Sequence, residues 1–578
     1  MLQLFKFKGG VKPPHNKAQS VTQPIAVAPL PSRVVVPLHQ SIGGTPRPLV
    51  QAGDHVLKGQ PIGEADGWVS SAVHAPTSGT VVEVALHPAP HPSGLGTASV
   101  VITPDGEDRW IERQPVDYRQ LAPEKVRELL RDAGVVGLGG AVFPSHVKLL
   151  AGKTVPMEEL VINGAECEPF ITCDDLLMRE RAEEVLRGAG IFRDLLKPKK
   201  VLVGIEDNKP EAYAAMNAAL AALGPDFQDF QIIQIPTRYP AGGAKQLIRV
   251  LTGKEVPNGK RSTDLGVQCF NVATAYTAWR ALAHGEPVIS RLVTLTGNVE
   301  TPRNWEVLIG TPMEELVKLA KPKADTDGFL MGGPMMGFMV PDLAAPVVKA
   351  TNCLIAHSPA LFPPAPPEMP CIRCGECAKA CPHELQPFEL YWHSRAKNFG
   401  KAQAYKLFDC IECGCCSFVC PSHIPLVQYF RFAKSEIWSR EQEKKAAEAA
   451  KCRFEFKQAR DEREKAEKAA KLAKAAAAQA AKKAADAAAA GEGAPTPAAG
   501  DDPEAAKKAA IAAALARARA QKAAHEQAQA AAPAGEAKEE DLAARRARFQ
   551  EVAKTEMATP PAAPAVAPET TDRADSPD

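Results

Sequence analysis

The sequence is short of anything that would commit its surface to one kind of partner. Its 69 basic residues almost cancel 68 acidic ones, leaving a formal net charge of +1 over 578 residues. That balance excludes a global electrostatic drive toward nucleic acid or anionic lipid. No apolar run reaches the ~18–20 residues that a membrane helix needs, so no span is expected. The start "MLQLFKFKGGVKPPHNK" has neither a long apolar core nor a small-residue cleavage site, and no secretory signal is expected. Aromatics make up only 6% of the chain and are nearly absent beyond Glu441. There Ala, Lys, Glu, Gln and Arg dominate. Residues 441–490 lack both Gly and Pro and favour helix, yet they offer little apolar surface to bury. Residues 441–578 are therefore expected to be an Ala/Lys-rich low-complexity tail, helical or disordered. It would be a solvated extension or a docking arm.

What the chain does have is cysteine, 14 in all, and eight of them fall into two matched quartets. "CIRCGECAKACP" at 371–382 and "CIECGCCSFVCP" at 410–421 both read C-x2-C-x2-C-x3-C-P, the second at an offset of 39 residues. This is the spacing of bacterial two-cluster ferredoxins. Three cysteines at x2 intervals wrap one cubane, and the fourth points to the cubane of the other copy. The expected ligands are Cys371, Cys374, Cys377 and Cys420 for cluster 1, and Cys410, Cys413, Cys416 and Cys381 for cluster 2. Gly375 and Gly414 match across the repeat and let backbone N–H groups approach sulfur. Two matched quartets exceed what a zinc ribbon uses. The register sets Cys415 opposite Glu376, so Cys415 is the spare thiol, and a charged counterpart there predicts partial exposure. Tight cysteine groups suit metal binding in a reducing compartment better than disulfides. Cys167, Cys173, Cys269, Cys353 and Cys452 are scattered and read as small buried or neutral residues.

The fold class expected is multidomain, α/β plus β. Residues 1–115 contain short β-branched runs between Gly and Pro turns and read as a small β sandwich, which resembles the barrel-sandwich fold of biotinyl and lipoyl carrier domains. Its hairpin "GWVSSAVHAPTSG" carries no Lys, so a structural role is expected rather than a swinging arm. Residues 116–290 form an α/β domain. In it "GVVGLGGAVFPSHVKLLAG" offers Gly137, Gly139 and Gly140 as free backbone N–H groups, with Lys148 one helical reach away, a combination suited to phosphate. The order differs from strand–G-x-G-x-x-G–helix. The strand in "ELVINGAECEPF" ends at Glu166 and Glu168, placed for ribose hydroxyls at a strand's carboxyl end. Residues 291–356 follow as a further module, and 357–370 as a Pro-rich linker. Residues 371–440 are the helical two-cluster domain.

"GLGGAVFPSHVK", "INGAECEP", "RYPAGGAKQLI" and "FNVATAY" resemble the FMN and NADH site of the flavoprotein subunit of respiratory complex I. With "FKGGVKPPHNK", "TLTGNVETPRNWEVLIGTP", "GGPMMG" and the twin cysteine repeat, residues 1–440 closely resemble the C subunits of ion-translocating Rnf electron transport complexes. The resemblance implies a Rossmann-like FMN/NADH-binding α/β domain and an SLBB-like β-grasp module at 291–356. It places Gly137, Gly139, Gly140 and Lys148 on the FMN phosphate. Asn163, Glu166, Asn271 and Thr274 go to the flavin and ribityl chain, and Phe143, Glu168 and Tyr239 toward NAD(H). Ala165 and Ala244 stand where complex I has acidic nucleotide contacts, which implies a different pose for NADH. The implied activity passes electrons between NAD(H) and ferredoxin through FMN and two 4Fe-4S clusters, coupled to Na⁺ or H⁺ movement. The implied partners are the membrane and peripheral subunits of that complex. The chain would sit peripherally on the cytoplasmic face of the bacterial inner membrane, held by protein contacts. The rival reading is an electron-wiring and docking module that keeps the clusters but has no working flavin/NADH site.

Overall fold

The structure is a computed structural model that describes residues 3–150 and 155–489. The chain divides into two units, one holding Met1–Ile437 and the other running from Trp438. Each is described by itself. The tail beyond residue 489 lies outside the described residues.

Near the N-terminus, strands Val34–Pro37, His55–Val56, Gly79–Pro88 and Gly96–Pro104 make a four-stranded sheet. Arg47–Pro48, Pro61–Glu64 and Val73–His74 make a three-stranded one. Val34, Val36, Val56, Ile62, Val81, Val100 and Ile102 are all buried between them. Their β-branched side chains fit a pleated, enclosed surface.

The α/β domain is built on four parallel strands: β1 (Glu159–Gly164), β2 (Lys200–Glu206), β3 (Phe230–Ile235) and β4 (Val267–Asn271). Their order across the sheet is β3-β2-β1-β4. β1 and β2 are almost continuously apolar because helices cover both faces. The helices that matter for the site are α1 (Cys173–Glu180), α2 (Ala182–Leu196), α3 (Pro210–Leu223), α4 (Ala244–Thr252) and α5 (Val272–Ala283). The strand order reverses beside β1, between β1 and β4. A crevice therefore opens at their carboxyl ends, the usual ligand position in such sheets.

The next module is a six-stranded mixed sheet containing Ser290–Gly297, Arg303–Leu308, Gly328–Met331, Phe338–Met339 and Cys353–His357, packed on the helix Met313–Leu319. Its outer strand, Ala26–Val27, comes from the N-terminal region and pairs in parallel with Trp305 and Glu306. Lys349 joins three modules at one point. Its ammonium donates to the carbonyls of Gly134 (2.7 Å) and Ala72 (3.2 Å), and its own backbone N–H donates to Gln40.

The cysteine module holds the short helices Glu376–Ala380, Pro387–Arg395, Phe399–Ala404 and Cys415–Phe418 around Leu390, Tyr391, Phe399, Leu407, Ile424 and Phe430. It closes with α6, Leu426–Ala489. The helix expected from 441 thus begins 15 residues earlier. Its first turns bury Leu426, Val427, Phe430 and Ala433 within the module. This apolar stripe is what the later Ala/Lys sequence lacks.

Candidate functional site

The crevice is made by adjacent strand ends. Asn163 closes β1 and Asn271 closes β4, paired directly in register. Asn271 caps α5 by accepting from Ala273 N (2.9 Å) and donates to Asp174 Oδ2 (2.6 Å). Asn163 accepts from Ala165 N and donates to the Gly242 carbonyl (2.8 Å). The glycine-rich loop is laid across this junction. Leu138 N donates to Thr274 Oγ1 (2.9 Å), while Arg291 donates to Leu138 O (2.7 Å). The loop closes on itself through Gly137 N to Phe143 O and Val142 N to Gly137 O. A Cβ on Gly139 would stand 3.1 Å from Asn271 Cβ, so the loop sits flush on the strand end. Gly140 has φ +115°, and a Cβ there would meet nothing within 4 Å. The loop backbone therefore faces open space, as a cradle for an anionic group must.

Lys148 ends the single turn Ser145–Lys148. Its ammonium donates to the Cys269 carbonyl and lies 4.5 Å from the centre of the Phe270 ring. Burial pushes its pKa down, with the Cys269 thiol acting weakly against this. A nearly buried cation that meets a carbonyl, a ring face and a thiol, and no carboxylate among the described residues, is set to receive an anion. The residues present thus fit a phosphate-bearing ligand.

Glu166 is brought to the same region, but its carboxylate is engaged by α1. It accepts from Asp174 N (2.8 Å) and Asp175 N (3.3 Å), and burial raises its pKa to about 7. The Glu166 carbonyl receives two ammonium groups, Lys17 (2.7 Å) and Lys209 (3.3 Å). Lys209 is fully buried with Glu206, 2.7 Å away. No sequence signal marks these lysines, because only the tertiary fold separates a buried lysine from a surface one. Phe143 is half-buried at the end of the loop. Ala165 is buried, and Ala244 is exposed at the start of α4.

Glu168 and Tyr239 are turned toward the cysteine module. Glu168 accepts from Met335 N (2.7 Å) and Met336 N (3.2 Å), tying down the "GGPMMG" turn. A Cβ at Gly333 would overlap Glu168 Cγ at 2.0 Å. Tyr239 is buried, and its hydroxyl donates to the Cys413 carbonyl (2.7 Å).

The two quartets come together in the cysteine module. Cys377 lies within electrostatic reach of Cys374 and Cys420, Cys410 of Cys413 and Cys381, and Cys416 of Cys410, Cys413, Cys381 and also Cys377. Cys381, Cys410, Cys413 and Cys416 line one cavity together with Cys415. Burial pushes Cys377 and Cys410 up to about 11. Thiolates held there need a cationic centre, and iron supplies one, so the donor set fits a cubane. Gly375 and Gly414 sit at φ +79° and +78° before the matched helical turns. The expected exposure of Cys415 is corrected. Glu376 is exposed, but Cys415 is 0% exposed. It is covered by Tyr239, Val11 and Met335, a contact its position in the repeat does not reveal.

Comparison with known proteins agrees module by module. Residues 5–107 match the family described as "RnfC Barrel sandwich hybrid domain", and 130–280 the "Nuo51 FMN-binding domain". Residues 292–339 match the "SLBB domain" and 370–424 the "4Fe-4S dicluster domain". Three similar relatives are named as C subunits of ion-translocating oxidoreductase complexes. That of Pseudomonas aeruginosa is 49% identical over 80% of this chain and 59% of its own length. That of Yersinia pestis bv. Antiqua is 49% identical over 79% of this chain and 73% of its own. That of Pasteurella multocida is 48% identical over 78% of this chain and 54% of its own. The chain therefore spans little more than half of the Pseudomonas and Pasteurella relatives. Among solved structures, a chain of an NAD⁺-reducing NiFe-hydrogenase in the air-oxidized state covers 49% of this chain and 54% of itself. At 19% identity and a TM-score of 0.39, that likeness is too slight to bear on function.

An FMN-binding domain and a 4Fe-4S dicluster domain in one chain define a flavin and iron–sulfur electron-transport protein. Within that class, the chain belongs to the family of C subunits of ion-translocating oxidoreductase complexes.

Proposed function

We propose that this chain oxidises NADH, or reduces NAD⁺, and passes electrons between NAD(H) and ferredoxin within an ion-translocating complex. The observation that carries the reading is one continuous structure. A glycine-rich cradle and a buried lysine sit at the strand switch point, and the turn carrying Tyr239 and Gly242, held by Asn163 at the end of β1, reaches the cysteine module through the Cys413 carbonyl. Gly137, Gly139, Gly140 and Lys148 would hold the FMN phosphate. Asn163, Asn271 and Thr274 would fix the flavin and ribityl side, with Glu166 ordering the start of α1 behind them. Phe143 faces the NAD(H) side, while Glu168 and Tyr239 build the wall between that side and the cysteine module. Bound FMN supplies chemistry the side chains lack, accepting a hydride, two electrons with one proton, and parting with electrons singly. The cysteine quartets would hold two 4Fe-4S clusters, which carry one electron each.

No helix among the described residues is long and apolar enough to cross a membrane. On its family membership, we propose that the chain sits peripherally on the cytoplasmic face of the bacterial inner membrane. It would be held there by the membrane and peripheral subunits, with ferredoxin as the distal electron partner.

The test is the absorbance of anaerobically purified full-length protein with reconstituted clusters. Bound flavin that NADH bleaches supports the proposal. Clusters without retained flavin would leave only the wiring-module reading.

A further inference from the structure

The barrel-sandwich loop between the strands Pro61–Glu64 and Val73–His74 presents an indole to solvent. Trp68 is 55% exposed, yet the backbone that carries it is pinned. Gly44 N donates to the Val69 carbonyl (2.9 Å), and Ser70 Oγ to the Gly44 carbonyl (2.8 Å). Arg131 donates to the Gly67 carbonyl (3.0 Å), and Ala72 N to the Arg131 carbonyl (3.3 Å). Gly43, at φ +114°, packs so close to Val69 that a Cβ would stand 1.7 Å from its carbonyl oxygen. An exposed aromatic ring on a fixed backbone has little freedom to lose when it takes a ligand.

This loop is set against the glycine-rich cradle. On the neighbouring loop Ile42 N donates to the Val142 carbonyl (3.3 Å), and His146 Nε2 donates to the Trp68 carbonyl (2.9 Å). The Trp68 and His146 rings lie 5.3 Å apart at 86°. The buried imidazole therefore braces the indole without covering both of its faces. His146 is two residues from Lys148 in the turn Ser145–Lys148, and Phe143 is half-buried just before that turn. Gly139, Gly140 and Ala141 of the cradle are exposed. Trp68, with Ile42 at 42% exposure, thus continues the rim of the cradle onto a second domain. Boundaries of this kind are common places for ligands.

We propose that Trp68 is the platform on which the adenine base of NAD(H) stacks, so that the dinucleotide bridges the α/β domain and the barrel-sandwich. This rests on the proposed function and adds a residue that distinguishes NAD(H) from a shorter nicotinamide donor. A purine offers a flat π face and little charge, and an exposed indole matches it well. The nicotinamide end has to reach the flavin in the β1–β4 crevice. The adenosine end of the same molecule then points outward to the rim. There the α/β domain supplies Phe143, and the next seven residues, "PSHVKLL", contain no aromatic ring besides the buried His146. Trp68 supplies one from the neighbouring domain. The barrel-sandwich then takes part in binding, beyond the structural role expected of its lysine-free hairpin.

The test uses full-length, flavin-loaded protein and the variants Trp68→Ala and Trp68→Phe, with flavin and iron contents as checks on folding. Two hydride donors are compared, NADH and reduced nicotinamide mononucleotide, which lacks the adenylate half. Stacking of a base on an aromatic ring is worth about tenfold in binding. The ratio of kcat/KM for NADH to that for the mononucleotide should fall by that factor in Trp68→Ala, through KM for NADH. It should return most of the way in Trp68→Phe. A wild-type ratio in Trp68→Ala overturns the assignment.

A second arm needs no turnover. Calorimetry with ADP-ribose should show weaker binding to Trp68→Ala by the same factor. Wild-type protein photolabelled with 8-azido-ADP-ribose should carry the label on residues 65–71, a readout that stands even where Trp68→Ala does not fold. Equal ADP-ribose affinity, or label confined to other peptides, overturns the platform. The two readings fail differently. Wild-type protein that neither binds ADP-ribose nor has its flavin bleached by NADH refutes the proposed function, and this site with it. Wild-type protein that does both, with Trp68→Ala its equal, refutes the platform alone.

Discussion

In the proposed function Lys148 would carry the anion side of the site, because it is buried with no carboxylate among the described residues acting on it. A charge-assisted hydrogen bond is worth roughly 1.5–3 kcal/mol. Lys148→Ala should therefore weaken flavin retention by roughly ten- to a hundredfold. Lys148→Glu should weaken it further, through repulsion of the phosphate. Flavin content after gel filtration is the readout, and full retention in both variants would remove Lys148 from the site. At Cys415 the question is ligation against packing. It is enclosed with Tyr239 and Cys413 in one apolar cluster, so Cys415→Ala should keep two clusters, about eight irons by cluster type. Cys416→Ser should damage cluster 2, because a serine oxygen is a harder and poorer ligand. Iron analysis and spin-quantified EPR separate the two. A cluster lost with Cys415→Ala but kept with Cys416→Ser would shift the ligand register by one.

Among the elements, α6 joins a core segment to a stretch of different character. Its first turns bury Phe430 and Ala433, and Lys434 donates to the Cys410 carbonyl (2.7 Å) and to Glu412 (2.7 Å). Truncation after Arg440 keeps all of this, and iron content should survive it. Phe430→Ala should destabilise the module by roughly 3–5 kcal/mol and lower its iron content and melting temperature. Iron lost on truncation would show that the later helix contributes to the cluster module. The same element shows how far the fold was legible in the sequence. The quartet spacing and the glycine loop could be read because each is a local demand, of ligand reach in one case and of backbone conformation in the other. Residues 371–440 and 441–490 both read as helical, but nothing local marks that one helix, Leu426–Ala489, runs unbroken from the first stretch into the second. Strand Ala26–Val27 pairs with residues nearly 280 positions away, and Glu168 binds a turn 167 residues on. Distances of that kind belong to tertiary structure, and no local pattern encodes them. For the same reason Glu168 and Tyr239 could be singled out as site residues while their side-chain partners could not.

Over the whole molecule, the modules are locked by buried polar contacts as well as apolar area. Lys349 is the clearest case. Burial pushes its pKa down to about 7 from the usual 10.5. Between those values the unfolded chain binds a proton that the folded chain does not. Stability should therefore rise with pH from about 7 to 10.5, and the gain is lost as pH falls through about 7. Lys349→Met should flatten that rise in denaturant midpoints measured across the range. An unchanged slope would mean that Lys349 stays charged in the fold.

The central claim is that one chain takes electrons from NADH and delivers them to its own clusters. The most direct measurement is an anaerobic titration of the reconstituted protein with NADH, following flavin absorbance and cluster EPR in the same samples. The account predicts that NADH alone bleaches the flavin and brings up both cluster signals, and that Lys148→Glu loses both responses while dithionite still reduces its clusters. Clusters that dithionite reduces in the wild type but that stay oxidised under excess NADH would contradict it.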